Sequence, residues 1–442
     1  MDVPPDATVL SFIGDPADES LFNHRQYAGS HGYGHRVVDA SLGPRGQQVR
    51  ALHKYEALAE LLEHTAPGEI ILVLTGNAAI VEAVPVNRLM KDRDVLLVST
   101  SSALPQANVQ IWRNCEQTRR KIGQIVDACK LGGGDFPGEE ALLGQFSTHV
   151  WHTPIEGLCV VMHSGPNLDP RWCVVPTFAI SIEESTHAPV ETGIVPRFRD
   201  ALFAHLNHCK SGASQLFEFP KLAPGEAGDR STFNAGREIA FVTLYTPEIA
   251  SYGQIAENSF RHYCERQNYT LHVHREIPRE IGLSGTGNWL KPWLLDGYLH
   301  HHEWVIWLDA DILIADKRRR IEPLLMSRDR LLARDIGQWP FNSGIMGFRR
   351  TSENALVLKN LMDQIASLPD RSGVYAGDGD QYHCINVLQR LGLLDKETVL
   401  NPMTINTPWF MRTSSSFIVH YLGMWTQMRA MMMNHDELIA SG

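Results

Sequence analysis

The chain lacks any apolar run approaching the roughly 20 residues that cross a bilayer as a helix. Its first residues, Met1-Asp2-Val3-Pro4-Pro5-Asp6, carry neither the basic nor the apolar region of a signal peptide, so a cytoplasmic setting is the expectation. Cysteine is scarce. Seven stand in 442 residues, none in a Cys-x-x-Cys spacing, which argues against structural zinc. An odd number in a large chain fits free thiols in a reducing compartment. Positive charge is also short: 40 Lys and Arg face 50 Asp and Glu, a formal net charge of −10. Nothing therefore favours nonspecific nucleic-acid binding. The one compact basic run, Lys317-Arg318-Arg319-Arg320, reads as a solvated helix start. Apolar residues make up 43% and charged residues 20%, a folded globular composition. A chain of 442 residues exceeds one ordinary core and suits two domains.

The most informative stretch is Trp304-Val305-Ile306-Trp307-Leu308-Asp309-Ala310-Asp311-Ile312-Leu313-Ile314. An apolar, β-prone run of this length reads as a buried strand of an α/β sheet. Two carboxylates inside such a strand are costly to bury. They fit at a strand's C-terminal end, where α/β sheets open into a ligand crevice, and there closely spaced acids hold a hard divalent cation together with phosphate oxygens. With strand periodicity, Asp309 and Asp311 share one face. A strand end bearing two solvated acids is the plainer alternative.

Other short pieces follow in order. Asn288-Trp289-Leu290-Lys291-Pro292-Trp293 opens a helical segment before the strand. Downstream stand Phe341-Asn342-Ser343-Gly344-Ile345, then Gly377-Asp378-Gly379-Asp380-Gln381, then Phe417-Ile418-Val419-His420-Tyr421-Leu422-Gly423. Together they resemble the metal-dependent, GT-A-type retaining glycosyltransferases: the galactosyl-, mannosyl- and xylosyltransferase family 34, and more distantly the glycogenin-like family 8. The resemblance covers roughly residues 237 to 425. Eukaryotic members of family 34 are usually anchored in the Golgi membrane, and the expectation of a cytoplasmic chain departs from that.

The resemblance implies site roles. Asp309, Asp311 and His420 would hold Mn2+ or Mg2+ against the diphosphate of a nucleotide-sugar donor, most commonly a uridine diphosphate sugar. An imidazole ligand suits manganese better than magnesium. A core histidine bonded to backbone is the other reading of His420. Thr243 and Tyr245, at the end of the first strand, would receive base and ribose; an ordinary half-buried tyrosine is the alternative for Tyr245. Lys291 would contact the donor, Gly423 would admit the phosphate closely, and Asn342, Ser343 and Gly344 would lie beneath the sugar. Asp380 and Gln381 would sit beside the anomeric carbon. A carbohydrate or glycosylated small molecule would be the acceptor. A nucleotidyltransferase is a competing reading, but Tyr245-Thr246-Pro247-Glu248-Ile249-Ala250 lacks the Gly-rich basic loop that reading needs. A sugar-nucleotide-binding scaffold is another.

The N-terminal half reads as a diverged copy of the C-terminal half. Thr8–Ile13 parallels Ile239–Leu244, Lys54-Tyr55 parallels Lys291-Pro292, and Glu69–Ile80 parallels the Asp-x-Asp stretch. Val109–Asn114 parallels Gly344–Arg349. Thr75 then stands for Asp309 and Asn77 for Asp311, both neutral. The expected organisation is two tandem GT-A-like, Rossmann-like α/β domains with mainly parallel sheets. Residues 1–222 form a degenerate copy, 223–236 a linker of Gly/Pro/polar character, and 237–442 the catalytic domain. Both halves active, as a bifunctional transferase, is the alternative. Ala355–Ile365 reads as a helix capped by Ser352.

Overall fold

The structure, a computed structural model, describes residues 6–14, 19–42, 46–99, 104–131, 136–145, 151–152, 158–162, 178–183, 194–214, 216, 228–283, 285–373, 379–394, 399–424 and 426–441. The chain divides into two compact units, Met1–Leu216 and Phe217–Gly442. Each is α/β.

The N-terminal unit is built on β1 (Ala7–Ile13), β2 (Gly34–Asp39), β3 (Ile70–Thr75), β4 (Ala78–Ile80), β5 (Val95–Ser99), β6 (Pro105–Arg113), β7 (Trp151–His152), β8 (Leu158–Met162) and β9 (Ala179–Glu183). Its main sheet runs β2-β1-β3-β6-β5-β7 and a small sheet runs β4-β9-β8. Strand β1 is buried along its whole length, as the continuous apolar run requires when both sheet faces are covered. Leu58, Ile71, Trp112 and Ile122 fill one core and Val9, Leu72, Ile111 and Phe178 another.

The C-terminal unit contains β10 (Arg230–Phe233), β11 (Ile239–Leu244), β12 (Thr270–His274), β13 (Trp304–Leu308), β14 (Ile312–Ile314), β15 (Arg330–Ala333), β16 (Asn342–Arg349), β17 (Val399–Leu400), β18 (Thr407–Pro408) and β19 (Ile418–His420). The main sheet runs β10-β12-β11-β13-β16-β15-β17 and the small one β14-β19-β18. Strands β12, β11 and β13 are parallel neighbours, whereas β13 pairs antiparallel with β16. Apart from the edge strand β10, the order and sense of pairing repeat those of the N-terminal unit. β3 pairs antiparallel with β6 as β13 does with β16, and β4 with β9 as β14 does with β19.

Three local expectations change. Residues Arg230–Phe233 fall in the stretch read as linker, yet they form β10, antiparallel to β12. Their alternating exposure is the pattern of an edge strand with one wet face. Residues 223–227 of that stretch lie outside the described residues. The helix Ser352–Ala366 is capped one residue earlier than expected, by Thr351, whose side chain accepts from the Asn354 amide. The Asp-x-Asp stretch is not one strand: β13 ends at Leu308 and β14, of the other sheet, begins at Ile312.

Beside β12 lies a chain of buried imidazoles. The Thr232 hydroxyl meets His272 Nδ1 at 3.0 Å, His272 Nε2 meets His302 Nε2 at 3.0 Å, and His302 Nδ1 meets the Arg237 carbonyl at 2.6 Å. The carbonyl can only accept, so the network assigns the proton to His302 Nδ1. His302 Nε2 must then accept from His272 Nε2–H, and His272 Nδ1 from the threonine. A second proton on His302 would set two N–H groups against each other, and one on His272 would charge a buried ring beside other histidines. Burial and the neighbouring histidines accordingly pull His272 down to about 3, and burial with the charge of Arg230 pulls His274 down to about 4, from an ordinary 6.5.

A histidine with a depressed folded-state value is neutral in the fold and charged in the unfolded chain below pH 6.5. The unfolded state then binds more protons, so stability falls as pH drops from about 6.5 towards about 4. Urea unfolding followed across that window should show the decline. It should be shallower in His272→Gln, which has no ring to protonate.

Candidate functional site

The turn Asp309–Asp311 carries the chain from β13 of the main sheet to β14 of the small sheet. Two backbone bonds pin it: the Asp309 amide donates to the Gly344 carbonyl at 2.9 Å, and the Tyr421 amide donates to the Asp311 carbonyl at 2.8 Å. Both carboxylates converge because the turn is clamped between the two sheets, rather than through strand alternation alone. Register sets Ile312 opposite His420, which brings the imidazole in beside them. Ligand atoms of Asp309, Asp311 and His420 lie within 4.8 Å of one another.

Each of the three is held by named neighbours. His420, 4% exposed, has Nδ1 3.0 Å from Asn406 Oδ1. The Asn406 oxygen can only accept, so Nδ1 carries a proton, and Nε2 stands 3.1 Å from Asp311 Oδ1. Asn406 in turn donates to Asn342 Oδ1 at 3.0 Å. Gly344 gives the ring room, since a Cβ there would stand 2.4 Å from His420 Cε1. Burial works against the Asp311 charge, but Arg429, with Nη2 3.4 Å from Oδ2, and His420 together hold its carboxyl below the usual range. Asp309 accepts from Trp307 Nε1 at 2.6 Å; burial pushes it upward, opposed by Lys291.

Lys291 sits at the first turn of the helix Lys291–Leu299 and is 2% exposed. Its ammonium lies 2.9 Å from Asp309 Oδ1, 2.9 Å from Asp380 Oδ2, and 3.2 Å from the Ser343 carbonyl. Burial alone would lower its pKa, and the two carboxylates raise it above the ordinary value. Asp380 and Gln381 open the helix Asp380–Arg390. Ser343 ties them in: its hydroxyl donates to Asp380 at 3.0 Å and its amide to Gln381 Oε1 at 3.0 Å. Gly377 and Asp378 lie outside the described residues.

These groups line one crevice of about 730 Å³, together with Thr246, Tyr252, Asn288, Trp339, Tyr382 and Gly423. Of the residues expected there, Asp309, Asp311, His420, Lys291, Asn342, Ser343, Gly344, Asp380, Gln381 and Gly423 are all on its wall. Thr243 and Tyr245 are not. Both are 1% exposed. The Tyr245 ring packs against the helix Ala250–Gln267 where Gly253 leaves no Cβ in its way, and its hydroxyl donates to Glu257 at 2.7 Å. Arg275 closes that buried cluster on Glu257. A ring committed to the interior is not available to stack on a base, so Thr246 and Tyr252 are what this edge presents instead. Sequence reasoning missed Trp307, Asn406 and Arg429. Trp307 had a signal, two residues before Asp309 on the same strand face; the other two belong to no recognisable motif.

Two carboxylates and one imidazole form an oxygen-rich set with one nitrogen, the chemistry of a manganese or magnesium site. The orienting hydrogen bond on the far imidazole nitrogen is typical of a metal-ligating histidine.

Residues 243–365 match the galactosyl transferase GMA12/MNN10 family. No curated protein matches the chain. Among solved structures, it is similar to a glycosyltransferase involved in the glycosylation of the major capsid of PBCV-1, at 15% identity over 44% of this chain and 98% of that one, with a TM-score of 0.36. It is similar to the glycosyltransferase GlyE of Streptococcus pneumoniae TIGR4, at 14% identity over 42% of this chain and 54% of that one, TM-score 0.30. It is also similar to the galactosyltransferase LgtC, at 12% identity over 41% and 87% respectively, TM-score 0.28.

Gly344→Ala should displace the His420 ring, because the added Cβ and Cε1 cannot both keep their places. We expect divalent-ion affinity to fall about tenfold or more, the scale seen when the shell supporting metal ligands is disturbed, while the unfolding midpoint changes little. Calorimetric titration of manganese checks this.

Proposed function

For a glycosyltransferase carrying a galactosyl transferase GMA12/MNN10 family domain over residues 243–365, we propose a metal-dependent, retaining reaction. It moves a hexose or pentose from a nucleotide-sugar donor, most simply a uridine diphosphate sugar, to a sugar or small-molecule acceptor. The observation that carries this reading is the convergence of Asp309, Asp311 and His420 within 4.8 Å on the wall of a crevice large enough for a nucleotide sugar.

Asp309, Asp311 and His420 Nε2 would hold Mn2+ or Mg2+, whose charge would stabilise the leaving diphosphate. The chain's own residues do the rest. Lys291 holds Asp309 and Asp380 in place at 2.9 Å each. It positions the acids, with its charge already committed to them. Ser343, pinned to Asp380 and Gln381, sets the floor beneath the sugar and fixes both side chains against the reacting face. Asp380, on the crevice wall, would orient sugar hydroxyls. As the bond from the anomeric carbon breaks, the ring gains positive charge, and the nearby carboxylate stabilises it electrostatically. In a retaining reaction the acceptor approaches from the leaving-group side. A departing diphosphate oxygen can then take its proton, so the scheme needs no separate base.

We read the N-terminal unit as a tandem, noncatalytic copy of the same domain. Its matching strand order and pairing support that reading, as does its own lysine–carboxylate pair, Lys54 with Glu139. Thr75 and Asn77 cannot supply the charge of two carboxylates, so transfer would belong to the C-terminal unit.

Manganese-dependent transfer should fall at least about a hundredfold in Asp311→Ala and in Asp309→Ala, with the folded state retained. Loss of one ligand in His420→Ala should weaken manganese and donor binding together. Turnover of candidate donors with and without chelator, with NMR assignment of the product's anomeric configuration, tests the reading. Chelator-resistant transfer, or near-wild-type turnover in both aspartate variants, would end it.

A further inference from the structure

One corner of the C-terminal crevice has no part in the scheme above. Trp339 and Tyr382 both line it. Their rings meet edge to face, with centroids 6.1 Å apart and planes at 70°, so the pair makes a corner rather than a stack. Tyr382 is 36% exposed, and Ile336, on the same connection as Trp339, is 44% exposed. Large apolar side chains left in water on a crevice wall mark contact with a ligand.

Both rings sit on anchored backbone. Trp339 belongs to residues 334–341, which join β15 to β16. Asp335 fastens that connection by accepting from the Gly337 amide at 2.8 Å and from Asn342 Nδ2 at 3.4 Å. Tyr382 follows Asp380 and Gln381 in the first turn of the helix Asp380–Arg390, and Ser343 donates to both of those side chains. Trp339 and Tyr382 are therefore both tied to the start of β16.

Sheet topology says what should lie in the corner. The order is β11, β13, β16, β15. β11 and β13 are parallel, and β16 is antiparallel to both β13 and β15. The ends of β11, β13 and β15 and the start of β16 thus share one edge of the sheet. Along it the crevice presents Leu244 and Thr246 at β11, then Asp309 and Asp311 after β13, then Ser343 and Gly344 in β16, then Trp339 between β15 and β16. Neighbouring strands lie about 4.8 Å apart, a step comparable with the width of a phosphate group or a sugar ring. A nucleotide sugar laid along this edge has its base towards β11, its diphosphate at the Asp309–Asp311 turn and its sugar over Ser343. The next step reaches the aromatic corner, where the group that receives the sugar must stand. The basic residues of the crevice wall, Lys291 and Arg429, are paired with Asp309, Asp380 and Asp311, so what the corner offers is aromatic surface. The C–H bonds on the face of a pyranose carry partial positive charge and are drawn to the negative face of an aromatic ring. The indole N–H and the phenol hydroxyl can bond its oxygens.

We infer that Trp339 and Tyr382 form the acceptor subsite, and that the acceptor is a carbohydrate whose pyranose ring packs its C–H face against them. They determine acceptor specificity and take no part in bond breaking. This rests on the donor assignment proposed for the C-terminal unit.

The test exposes the full chain, in saturation-transfer NMR, to the methyl glycosides of glucose, galactose, mannose and xylose, alone and with uridine diphosphate and magnesium. At least one glycoside should receive saturation at its ring C–H protons. Trp339→Ala should weaken that binding about tenfold or more, and Tyr382→Ala should weaken it as well. Trp339→Phe should recover part of it. Calorimetric affinity for uridine diphosphate with manganese should move little in these variants beside the loss in Asp311→Ala. Three results would overturn the acceptor assignment: no glycoside receiving saturation, saturation that survives both alanine variants, or uridine diphosphate affinity falling in Trp339→Ala as it does in Asp311→Ala, which would put the base in this corner. If uridine diphosphate fails to bind with manganese at all, the donor assignment fails instead, and the glycoside measurement without nucleotide still decides the corner.

Discussion

Everything in the C-terminal crevice depends on one buried ammonium. Lys291, shut off from water, is held there as a cation because Asp309 and Asp380 flank it at 2.9 Å, and its charge in turn offsets theirs. A buried ion set broken on one side leaves uncompensated charge, which costs several kcal/mol. The lysine thus joins Asp309, delivered by the turn after β13, to Asp380, delivered by the helix Asp380–Arg390. Neither element touches the other's chemistry directly. The ammonium fixes their separation, and Ser343 repeats the connection with its carbonyl and hydroxyl.

The N-terminal unit shows what survives when the two acids of the turn are replaced by neutral residues. Lys54 and Glu139 remain paired. That pairing is therefore compatible with the fold whether or not acids occupy the turn. Thr75 and Asn108 bond to one another, a neutral hydrogen bond at the places that Asp309 and Gly344 take in the C-terminal unit.

Much of this was legible in the sequence, for definite reasons. The Asp-x-Asp stretch stood out because charge inside a β-prone apolar run demands a ligand or solvent, and the whole-strand burial of β11 and β13 matches their unbroken apolar character. Tyr245 was not legible. A tyrosine at a strand end can face the crevice or the core, and the choice is made by Glu257 and Gly253, which lie on the following helix. Asn406 and Arg429 escaped for a similar reason. Each acts through a contact with a residue far along the chain, His420 or Asp311, and no local pattern encodes a long-range partner. The edge strand β10 was hidden by its polar, glycine-flanked composition, which resembles linker chemistry.

The distance along the chain between the turn after β13 and β19 also sets a timetable for the molecule's birth. Asp311 and His420 are 109 positions apart, which at roughly 5–20 residues per second of synthesis means about 5–20 s in which the two acids of the turn have been made and the histidine beside them has not. Throughout that interval Lys291, translated before either acid, is already at hand as a counter-ion for Asp309. The nascent sheet need not scavenge a cation to neutralise its turn. The cluster of two acids and one imidazole is thereby completed only once β19 has been made.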